Sequence, residues 1–321
     1  MEIPPLVTVI ILNYNGRVSL GDEFLIRAIE SVLNSNYPNL KVVFVDNGSQ
    51  DGSYEFVCEL FKQRKDFKAI RFEKNLGYSR GNNEAVRRLD HKPKYIVFLN
   101  NDVIVSYNWL KEAVRILESE EHIKGVKPLH LHPDGRSYSG VLFGLNARPV
   151  VIRDPLYSGV VAYVSGACLI IDAEVFEELG GFDEHYMHYY QDLDLGWNIW
   201  VRGYRLVSVP ASIIFHIGGV ATSSRFGEEG RAYCMIKDRC FFVFKNYPTK
   251  MLLKSLPFII ADLIADSCYH LLWTRNLGWF IGVIKGSISV LRDLKKLLTV
   301  RKKYVKRQPP SSLFSFKWLI T

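Results

Sequence analysis

The sequence predicts an α/β fold in which a mostly parallel sheet is flanked by helices. Apolar, β-branched runs alternate with helical patterns between residues 6 and 119, and short polar loops join them. These runs lack the polar–apolar alternation of a half-exposed strand, as expected of strands covered on both faces. A chain of 321 residues, 48% hydrophobic and 23% charged, can bury a sufficient core without disulfides or a structural metal.

Four strand–helix pairs are predicted in order along the first part of the chain. LVTVIIL (residues 6–12) predicts a buried strand, and apolar residues recur at helical spacing in the following FLIRAIESVL. KVVFV precedes helical SYEFVCELF, FKAIRF precedes helical EAVRRL, and YIVFL precedes helical NWLKEAVRILES. Farther on, we expect a hairpin or loop at DGRSYSGVLFG, a strand at VVAYVSGACLII, a short helix at AEVFEELGGF, a helix at QDLDLGWNIWVRGY, and short strands at RLVSVP and SIIFHIGG.

Three of the predicted strands end in polar clusters. These are Asn13-Tyr14-Asn15, Asp46-Asn47-Gly48-Ser49 and Asn100-Asn101-Asp102. In open α/β sheets, ligands bind beyond the carboxyl ends of the strands. One such cluster could be only a turn, because Asn, Asp, Gly and Ser are turn formers. Three at one edge of a sheet predict a binding site.

The carboxylates of these clusters suit different ligands. Asp102 could ligate a hard divalent cation such as Mg²⁺ or Mn²⁺, which prefers oxygen ligands; alternatively, it caps the helix that follows. Asp46 could accept hydrogen bonds from a nucleoside, and its alternative is an Asx turn with a helix cap. His216, alone in an apolar strand, is by its spacing more typical of a core residue than of a ligand.

Two further carboxylates open the helix predicted at QDLDLGWNIWVRGY. Asp192 and Asp194 lie about 200° apart on a helix of 3.6 residues per turn, so they cannot do the same job. We expect one to face the site and the other to cap the helix or pair with a cation. Carboxylates are favoured in the first turn of any helix, which is the structural alternative for both.

The composition changes after about residue 220, and we divide the chain into an α/β domain (1–220) and a helical, apolar and basic region (221–321). Residues 251–273 are very apolar but contain Asp262 and Asp266. Each midplane Asp costs about 2.5–3.5 kcal/mol, so a simple spanning helix is not expected. Residues 292–307 carry eight Lys/Arg and one acidic residue. We therefore predict a helix pair lying on an anionic membrane surface, with Trp273 and Trp279 beside it; the alternative is a helical lobe packed on the α/β domain or on another subunit.

Cysteine usage and charge restrict the compartment and the partners. The five cysteines are odd in number and include no Cys-x-x-Cys pair, which fits neither a disulfide framework nor a structural zinc site. The apolar run at residues 7–12 is too short for a signal peptide. We expect a cytoplasmic protein, peripheral at the inner face of the cell membrane. The basic run lacks interleaved aromatic residues beyond Tyr304, so no nucleic-acid partner is expected. The oligomeric state stays open, with a homo-oligomer as one option.

Seven segments between residue 7 and about residue 219 occur together in a distinctive order. They are VTVIILNYNG, VDNGSQDGS, NLGYSRGNN, FLNNDVIV, SGACLIIDAEVFEELGGFDE, QDLDLGWNIWVRGY and His216-Ile-Gly-Gly. In this order they resemble the inverting glycosyltransferases of family 2, which have a GT-A-type, Rossmann-like fold. The arrangement is most similar to the rhamnosyltransferase-like branch that builds cell-surface polysaccharides.

The resemblance implies an activity and a set of site residues. The implied reaction moves a sugar from a nucleoside-diphosphate sugar, dTDP-rhamnose-like or a UDP-sugar, to a hydroxyl of a lipid-linked or cell-surface glycan, with Mg²⁺ or Mn²⁺ as cofactor. Asp192 matches the catalytic base, Asp102 the last Asp of the metal-binding Asp-x-Asp motif, and His216 a histidine that ligates the metal in some members. The substrate-binding positions implied are Asn13, Tyr14, Asn15 and Asp46 for the nucleoside, Asn75, Gly77, Asn82 and Asn83 for the sugar diphosphate, and additionally Asn47, Asn100, Asn101, Gly166, Ala167 and Gln191.

Two positions depart from the family pattern. Asn100 replaces the first Asp of the metal motif, which leaves one anionic ligand. Gln191 replaces a Glu before the base, so Asp192 loses an anionic neighbour that would have raised its pKa. These changes keep a second function open, a non-catalytic sugar-nucleotide-binding or scaffolding protein of a polysaccharide assembly system. A dinucleotide oxidoreductase is disfavoured, because Asn-Tyr-Asn-Gly stands where Gly-x-Gly-x-x-Gly would follow the first strand.

Overall fold

Strands and helices alternate along the residues that the structure, a computed structural model, describes: 3–218, 220–303 and 307–315. Gly219 and Tyr304, which the sequence analysis uses, lie outside them. The strands are β1 (Val7–Asn13), β2 (Leu40–Asp46), β3 (Phe67–Arg71), β4 (Tyr95–Asn100), β5 (Val103–Val105), β6 (Ile123–Leu131), β7 (Ser137–Tyr138), β8 (Gly140–Gly144), β9 (Pro149–Ile152), β10 (Cys168–Asp172), β11 (Arg205–His216) and β12 (Phe314–Ser315). The helices are α1 (Gly16–Leu20), α2 (Asp22–Leu33), α3 (Ser53–Phe61), α4 (Tyr78–Arg87), α5 (Trp109–Leu117), α6 (Ala173–Glu178), α7 (Gln191–Val201), α8 (Val220–Asn246), α9 (Thr249–Cys268), α10 (Leu277–Arg292) and α11 (Leu294–Lys303). A π-helical turn, Tyr269–Trp273, follows α9.

The central sheet has the strand order β3-β2-β1-β4-β10-β6-β11-β5, with β7 beside β6. β3, β2, β1 and β4 are mutually parallel, and β6 is parallel to β11. β10 and β5 run antiparallel to their neighbours. The predicted mostly parallel sheet flanked by helices is thus confirmed. A smaller sheet has the order β12-β8-β9.

Both faces of the central sheet are buried, as the continuous apolar runs predict. In β1, Ile10 belongs to one hydrophobic cluster, whereas Val9 and Ile11 belong to another on the opposite face. The second cluster is covered by α2, whose buried residues are those at the predicted helical spacing, Leu25, Ala28, Ile29, Val32 and Leu33.

Several predicted elements have different bounds. α4 begins at Tyr78 and takes in most of the predicted NLGYSRGNN loop. VVAYVSGACLII forms strand only from Cys168 onward. β6 was missed because its sequence, IKGVKPLHL, interrupts the apolar pattern with polar residues and Pro128. RLVSVP and SIIFH form one strand, β11, whose pairing with β6 shifts between Val209 and Ile213.

The region after residue 220 packs on the α/β domain. Phe242 and Tyr247 of α8 and Met251 of α9 are buried in the same hydrophobic cluster as Ile10 of β1. The proposed division at residue 220 therefore separates two parts that share one core, and it stays a prediction. Within the described residues, none of the helices combines the length and apolar character needed to cross a membrane.

Candidate active site

Asn13 joins the polar ends of neighbouring strands. Asn13 Nδ2 donates to Asp46 Oδ1 and Ser49 Oγ, each at 3.3 Å, and its Oδ1 accepts from Asn101 Nδ2 at 2.7 Å. Ser49 Oγ also accepts from the backbone N–H of Asn15 at 2.8 Å. The expected convergence of the three polar clusters is confirmed. Asn13 is fully buried, so the structure shows it bracing the clusters, and its contact with a nucleoside stays a prediction.

The Asp46 cluster forms a tight turn against the segment after β3. Asp46 Oδ2 accepts from the backbone N–H of Ser49, three residues on, at 3.1 Å. This bond closes the turn, whereas the Asx turn left as an alternative by the sequence would use the N–H two residues on. Gly48 has a φ of +78°, and a Cβ there would lie 2.5 Å from the backbone of Lys74. Only glycine permits this approach. Tyr14 remains 38% exposed beside the turn, which leaves its ring available to a ligand.

Asn47 holds the segment between β3 and α4 beside this turn. Its Oδ1 accepts from the backbone N–H of Leu76 at 2.9 Å. Its Nδ2 lies 3.3 Å from Asn75 Oδ1 and 3.2 Å from the carbonyl oxygen of Gly77, and donates to both. The residues predicted to bind the sugar diphosphate therefore adjoin those predicted to bind the nucleoside.

The two asparagines of α4 have different surroundings. Asn82 Oδ1 is buried and has no hydrogen-bond partner within the described chain, which is rare for a native amide and leaves an acceptor available. The side chain of Asn83 makes its hydrogen bonds within the protein. Its Nδ2 donates to the Phe182 carbonyl at 2.9 Å and to Glu184 at 3.0 Å, and its Oδ1 accepts from Phe182 N–H at 2.9 Å. Asn83 braces that loop, and its contact with a sugar diphosphate stays a prediction.

Asp192, at the start of α7, is positioned through the peptide groups of Gly166. Asp192 Oδ2 accepts from Gly166 N–H and its Oδ1 from Leu193 N–H, each at 3.0 Å. The carbonyl oxygen of Gly166 accepts from the Tyr78 hydroxyl at 2.8 Å. The start of α4, which follows the predicted diphosphate loop, is therefore connected to Asp192 through one residue. Tyr78 was not predicted as a site residue, because an aromatic at a helix start carries no signal of its own.

Burial raises the pKa of Asp192 to about 6, although its two backbone N–H partners and the buried Lys127 favour the ionised form. The sequence predicted no such rise from charge, because Gln191 replaces an anionic neighbour; desolvation supplies it instead. Gln191 is itself 8% exposed, and its Oε1 is buried without a hydrogen-bond partner among the described residues. A carboxylate with this pKa suits a general base near neutral pH.

Asp194 serves a different purpose from Asp192, as their angular separation predicts. Its carboxylate is buried and accepts from Lys245 Nζ and Asn246 Nδ2, each at 2.7 Å, and from the Tyr186 hydroxyl at 3.0 Å. The expected pairing of one carboxylate with a cation is confirmed for Asp194, and the position of Asp192 toward the site stays a prediction. Asp194 anchors α7 to α8.

A carboxylate of α8 fixes the loop that leads into α7. Asp238, 2% exposed, accepts from the backbone N–H groups of Met187, His188 and Tyr189 at 3.0, 2.9 and 2.8 Å. Burial raises its pKa to about 6, against the opposing effect of these three N–H groups. This contact was not predicted, because Asp238 lies in the region that the sequence assigned to a separate part of the chain.

Asp102 and His216 are brought together at the same sheet edge. Asp102 Oδ1 lies 3.2 Å from His216 Nε2 and makes no hydrogen bond within the described residues. The contact forms because β11 pairs with β5, which places His216 opposite Val103. Nearby, Asn100 N–H donates to the Ala167 carbonyl at 3.0 Å, which ties this edge to the segment that holds Asp192.

A carboxylate oxygen that makes no hydrogen bond and lies beside an imidazole fits a divalent cation that takes its remaining ligands from a diphosphate and water. Two further histidines lie near His216 and were not predicted: the ring centroids of His132 and His130 lie 5.3 and 6.3 Å from that of His216. Across the described residues, no three His, Cys, Asp or Glu side chains already converge as a metal cage. His130 belongs to β6, and His132 follows the last residue of that strand. Their spacing of two residues could have indicated a shared face, but β6 itself was not predicted.

The strand order and the polar edge define the class of fold, a GT-A-type α/β domain. Residues 8–180 match the model of glycosyl transferase family 2. Because this match covers more than half of the chain, the chain belongs to glycosyl transferase family 2.

Relatives with assigned activities are similar at modest identity. The N-acetylglucosaminyl-diphospho-decaprenol L-rhamnosyltransferase of Mycobacterium tuberculosis is 24% identical over 206 residues, 55% of this chain and 66% of the relative. Rhamnosyltransferase WbbL of Escherichia coli K12 is 24% identical over 220 residues, 62% of this chain and 81% of the relative. Two other curated relatives match over only 25% and 36% of their own length.

The crystal structure of GalNAc-T7 with UDP, GalNAc and Mn²⁺ has the same fold. It superposes with a TM-score of 0.63 at 16% identity and covers 92% of this chain and 58% of that one. The GT-A-type fold expected from the sequence is thus confirmed.

Proposed function

We propose that the protein transfers a sugar from a nucleoside-diphosphate sugar to a hydroxyl group of a glycan and inverts the anomeric configuration. One observation carries the proposal: Asp192, the candidate base, is hydrogen-bonded to the same residue, Gly166, that Tyr78 binds from the diphosphate side of the site. Membership of glycosyl transferase family 2 supports the same reaction.

Each part of the edge has a role in this proposal. The turn at Asp46, with Tyr14 and Asn15, would bind the nucleoside, and the segment from Asn75 to Gly77 would bind the diphosphate. Asp102 and His216 would hold a divalent cation. Mg²⁺ or Mn²⁺, when bound, supplies positive charge that stabilises the departing diphosphate. The GalNAc-T7 structure, which contains UDP and Mn²⁺, supports this arrangement.

The chemical step is a single displacement. The acceptor hydroxyl oxygen bonds to the anomeric carbon while its proton passes to Asp192. The bond between that carbon and the diphosphate oxygen breaks, and its electron pair leaves with the diphosphate. Attack from the face opposite the leaving group inverts the configuration.

The similarity to rhamnosyltransferases supports a dTDP-rhamnose-like donor, and the UDP in the GalNAc-T7 structure supports a UDP-sugar as the other option. The acceptor would be a lipid-linked or cell-surface glycan, since one relative is named for an N-acetylglucosaminyl-diphospho-decaprenol substrate. Such an acceptor fits a protein that is peripheral at the cytoplasmic face of the cell membrane.

A thermal-shift panel with UDP, dTDP, GDP and CDP, each with and without Mn²⁺ or Mg²⁺, tests the donor class. A nucleotide at 100 times its Kd adds about 2.7 kcal/mol of stability, or several degrees in Tm. We expect one nucleotide to give a metal-dependent shift that Asp102→Asn removes, while the exposed Asp134→Asn, as control, retains it. Turnover of the corresponding sugar nucleotide, with the product configuration read by NMR, then tests transfer. Binding without turnover would favour the non-catalytic alternative, and no shift in a folded sample would refute the proposal.

A further inference from the structure

We propose that the outer face of α9, the π-helical turn and α10 binds the surface of an anionic lipid bilayer. More than half of the exposed large hydrophobic side chains in the described chain lie between residues 253 and 298. Contiguous apolar patches of this kind mark interaction surfaces. We call this surface the C-terminal face. Its binding to a membrane does not depend on the sugar transfer proposed above.

The exposed apolar residues form one stripe on each helix. Leu253, Ile260 and Ile264 on α9 are between 55% and 63% exposed, and they recur at helical spacing. On α10, Ile284, Ile288 and Leu291 do the same at 42%, 44% and 70%. The turn that joins the two helices adds Leu272 and Trp273, which are 68% and 81% exposed.

The inner side of α10 buries Val283 between two glycines. A Cβ at Gly282 would collide with the carbonyl oxygen of Glu229, and one at Gly286 would lie 3.0 Å from Ile236 Cβ, so α10 lies directly against α8. A helix on a water-facing surface normally exposes polar residues. The outer side of α10 instead combines the three exposed apolar residues with the exposed cations Lys285 and Arg292, the arrangement of a helix that lies on an anionic membrane surface.

The acidic residues of this region all have cationic partners within the protein. Asp262 accepts from Arg148 Nε at 2.7 Å and from Arg239 Nη1 at 2.6 Å, and Asp266 accepts from Arg148 Nη2 at 2.7 Å. The third acid between residues 249 and 303, Asp293, pairs with a lysine of α8. The two carboxylates that argued against a spanning helix in the sequence are only 13% and 12% exposed. Because both carboxylates are buried in ion pairs within the protein, binding of this face to a membrane surface does not require their transfer into lipid.

Lysine and arginine side chains remain exposed on the surface of this region. Residues 249–303 contain ten Lys/Arg against three Asp. Lys250, Lys254, Arg275, Lys295 and Lys296 are all exposed. Each Lys or Arg near an anionic surface contributes about 1 kcal/mol of binding. A second copy of the chain is a poorer fit, because a two-fold contact places the same patch, with its like charges, on both sides.

Flotation of the full chain with phosphatidylcholine vesicles, with and without phosphatidylglycerol, tests the proposal. We expect strong binding only with phosphatidylglycerol. Leu272→Ser/Trp273→Ser should lower the partition coefficient about 100-fold, as loss of two lipid-buried side chains implies. Lys295→Gln/Lys296→Gln should lower it about 30-fold. The matched control Tyr107→Ser/Leu156→Ser changes two equally exposed apolar residues elsewhere and should leave it unchanged.

Contact between the C-terminal face and the acyl chains of the lipid is measured separately, by fluorescence quenching. Bromine-labelled acyl chains should quench the tryptophan fluorescence of the wild type more than that of Trp273→Phe. The proposal is overturned if the full chain fails to float with anionic vesicles. It is also overturned by a dimer, seen by light scattering, that Leu272→Ser/Trp273→Ser dissociates without changing vesicle binding, since the face would then belong to a second copy. None of these variants should alter the nucleotide thermal shift, so failure here and failure of the transfer proposal are distinguishable.

Discussion

Replacing Asp192 by asparagine separates its chemistry from its structural role. The change keeps the shape of the side chain and removes its negative charge. One oxygen can still accept from the Gly166 N–H, but the new amide nitrogen cannot accept the second backbone N–H, that of Leu193. A base that takes the acceptor proton contributes about 10²–10⁴-fold to rate, so we expect kcat to fall by that factor.

The stability change depends on pH with a definite sign. Burial raises the folded-state pKa of Asp192 from 3.8 to about 6, so the folded protein disfavours the ionised form. This penalty is absent below about pH 4 and complete above about pH 6, where a shift of this size corresponds to about 3 kcal/mol. The lost hydrogen bond costs about 1–3 kcal/mol at any pH. Relative to the wild type, Asp192→Asn should therefore be less stable near pH 4 and of similar or greater stability near pH 8.

Steady-state kinetics and urea unfolding at both pH values measure these effects. In the wild type, kcat/KM should fall tenfold per pH unit below about pH 6, as the base becomes protonated. The nucleotide thermal shift should persist in Asp192→Asn, which shows that the site is intact. Turnover within tenfold of the wild type in the folded variant would refute the assignment of Asp192 as base. A stability difference that is the same at both pH values would refute the raised pKa.

Three further changes test the surroundings of the site. Asp102→Asn should weaken Mn²⁺ binding in the presence of the bound nucleotide at least tenfold by calorimetry; unchanged affinity would exclude Asp102 as ligand. Tyr78→Phe removes the hydrogen bond to Gly166, worth about 1 kcal/mol, and should lower kcat about fivefold at constant KM; a change in KM alone would point to donor binding instead. Lys245→Met leaves the buried Asp194 without its cation and should cost about 3–5 kcal/mol in urea unfolding. A loss below 1 kcal/mol would show that this ion pair is dispensable.

The buried parallel strands and the polar clusters at their carboxyl ends could be predicted, because buried parallel strands have a strong sequence signal. The apolar runs at β1, β2 and β4 and the turn residues after them are local features, and the edge they form follows from the topology. The helical spacing predicted only that Asp192 and Asp194 have different roles, and the assignment of the base to Asp192 came from the family resemblance. Periodicity separates the two side chains, but Lys245, which decides which of them turns inward, lies far along the chain.

Features that depend on long-range contacts could not be read from the sequence. β6 contains the buried Lys127, whose ammonium donates to the carbonyl oxygen of Tyr138 at 3.1 Å; such a strand lacks the apolar pattern that identifies its neighbours. Asp262 was correctly seen as incompatible with a spanning helix, but its ion pairs with Arg148 and Arg239 join segments more than twenty residues apart. Pairwise contacts of this kind leave no periodic signal in a single sequence.

The triple hydrogen bond at Asp238 has a consequence for how this chain can be shortened or recombined. The carboxylate sits on α8, yet the loop it holds leads directly into the helix of the candidate base. A truncation after residue 220, at the boundary that composition suggests, would release that loop and expose the core that Phe242 and Tyr247 complete. Exchanging C-terminal regions between relatives would likewise remove the contacts of Asp238 that hold the loop before the candidate base. A graft that preserves Asp238 and Lys245 is the one expected to leave that loop and α7 in place.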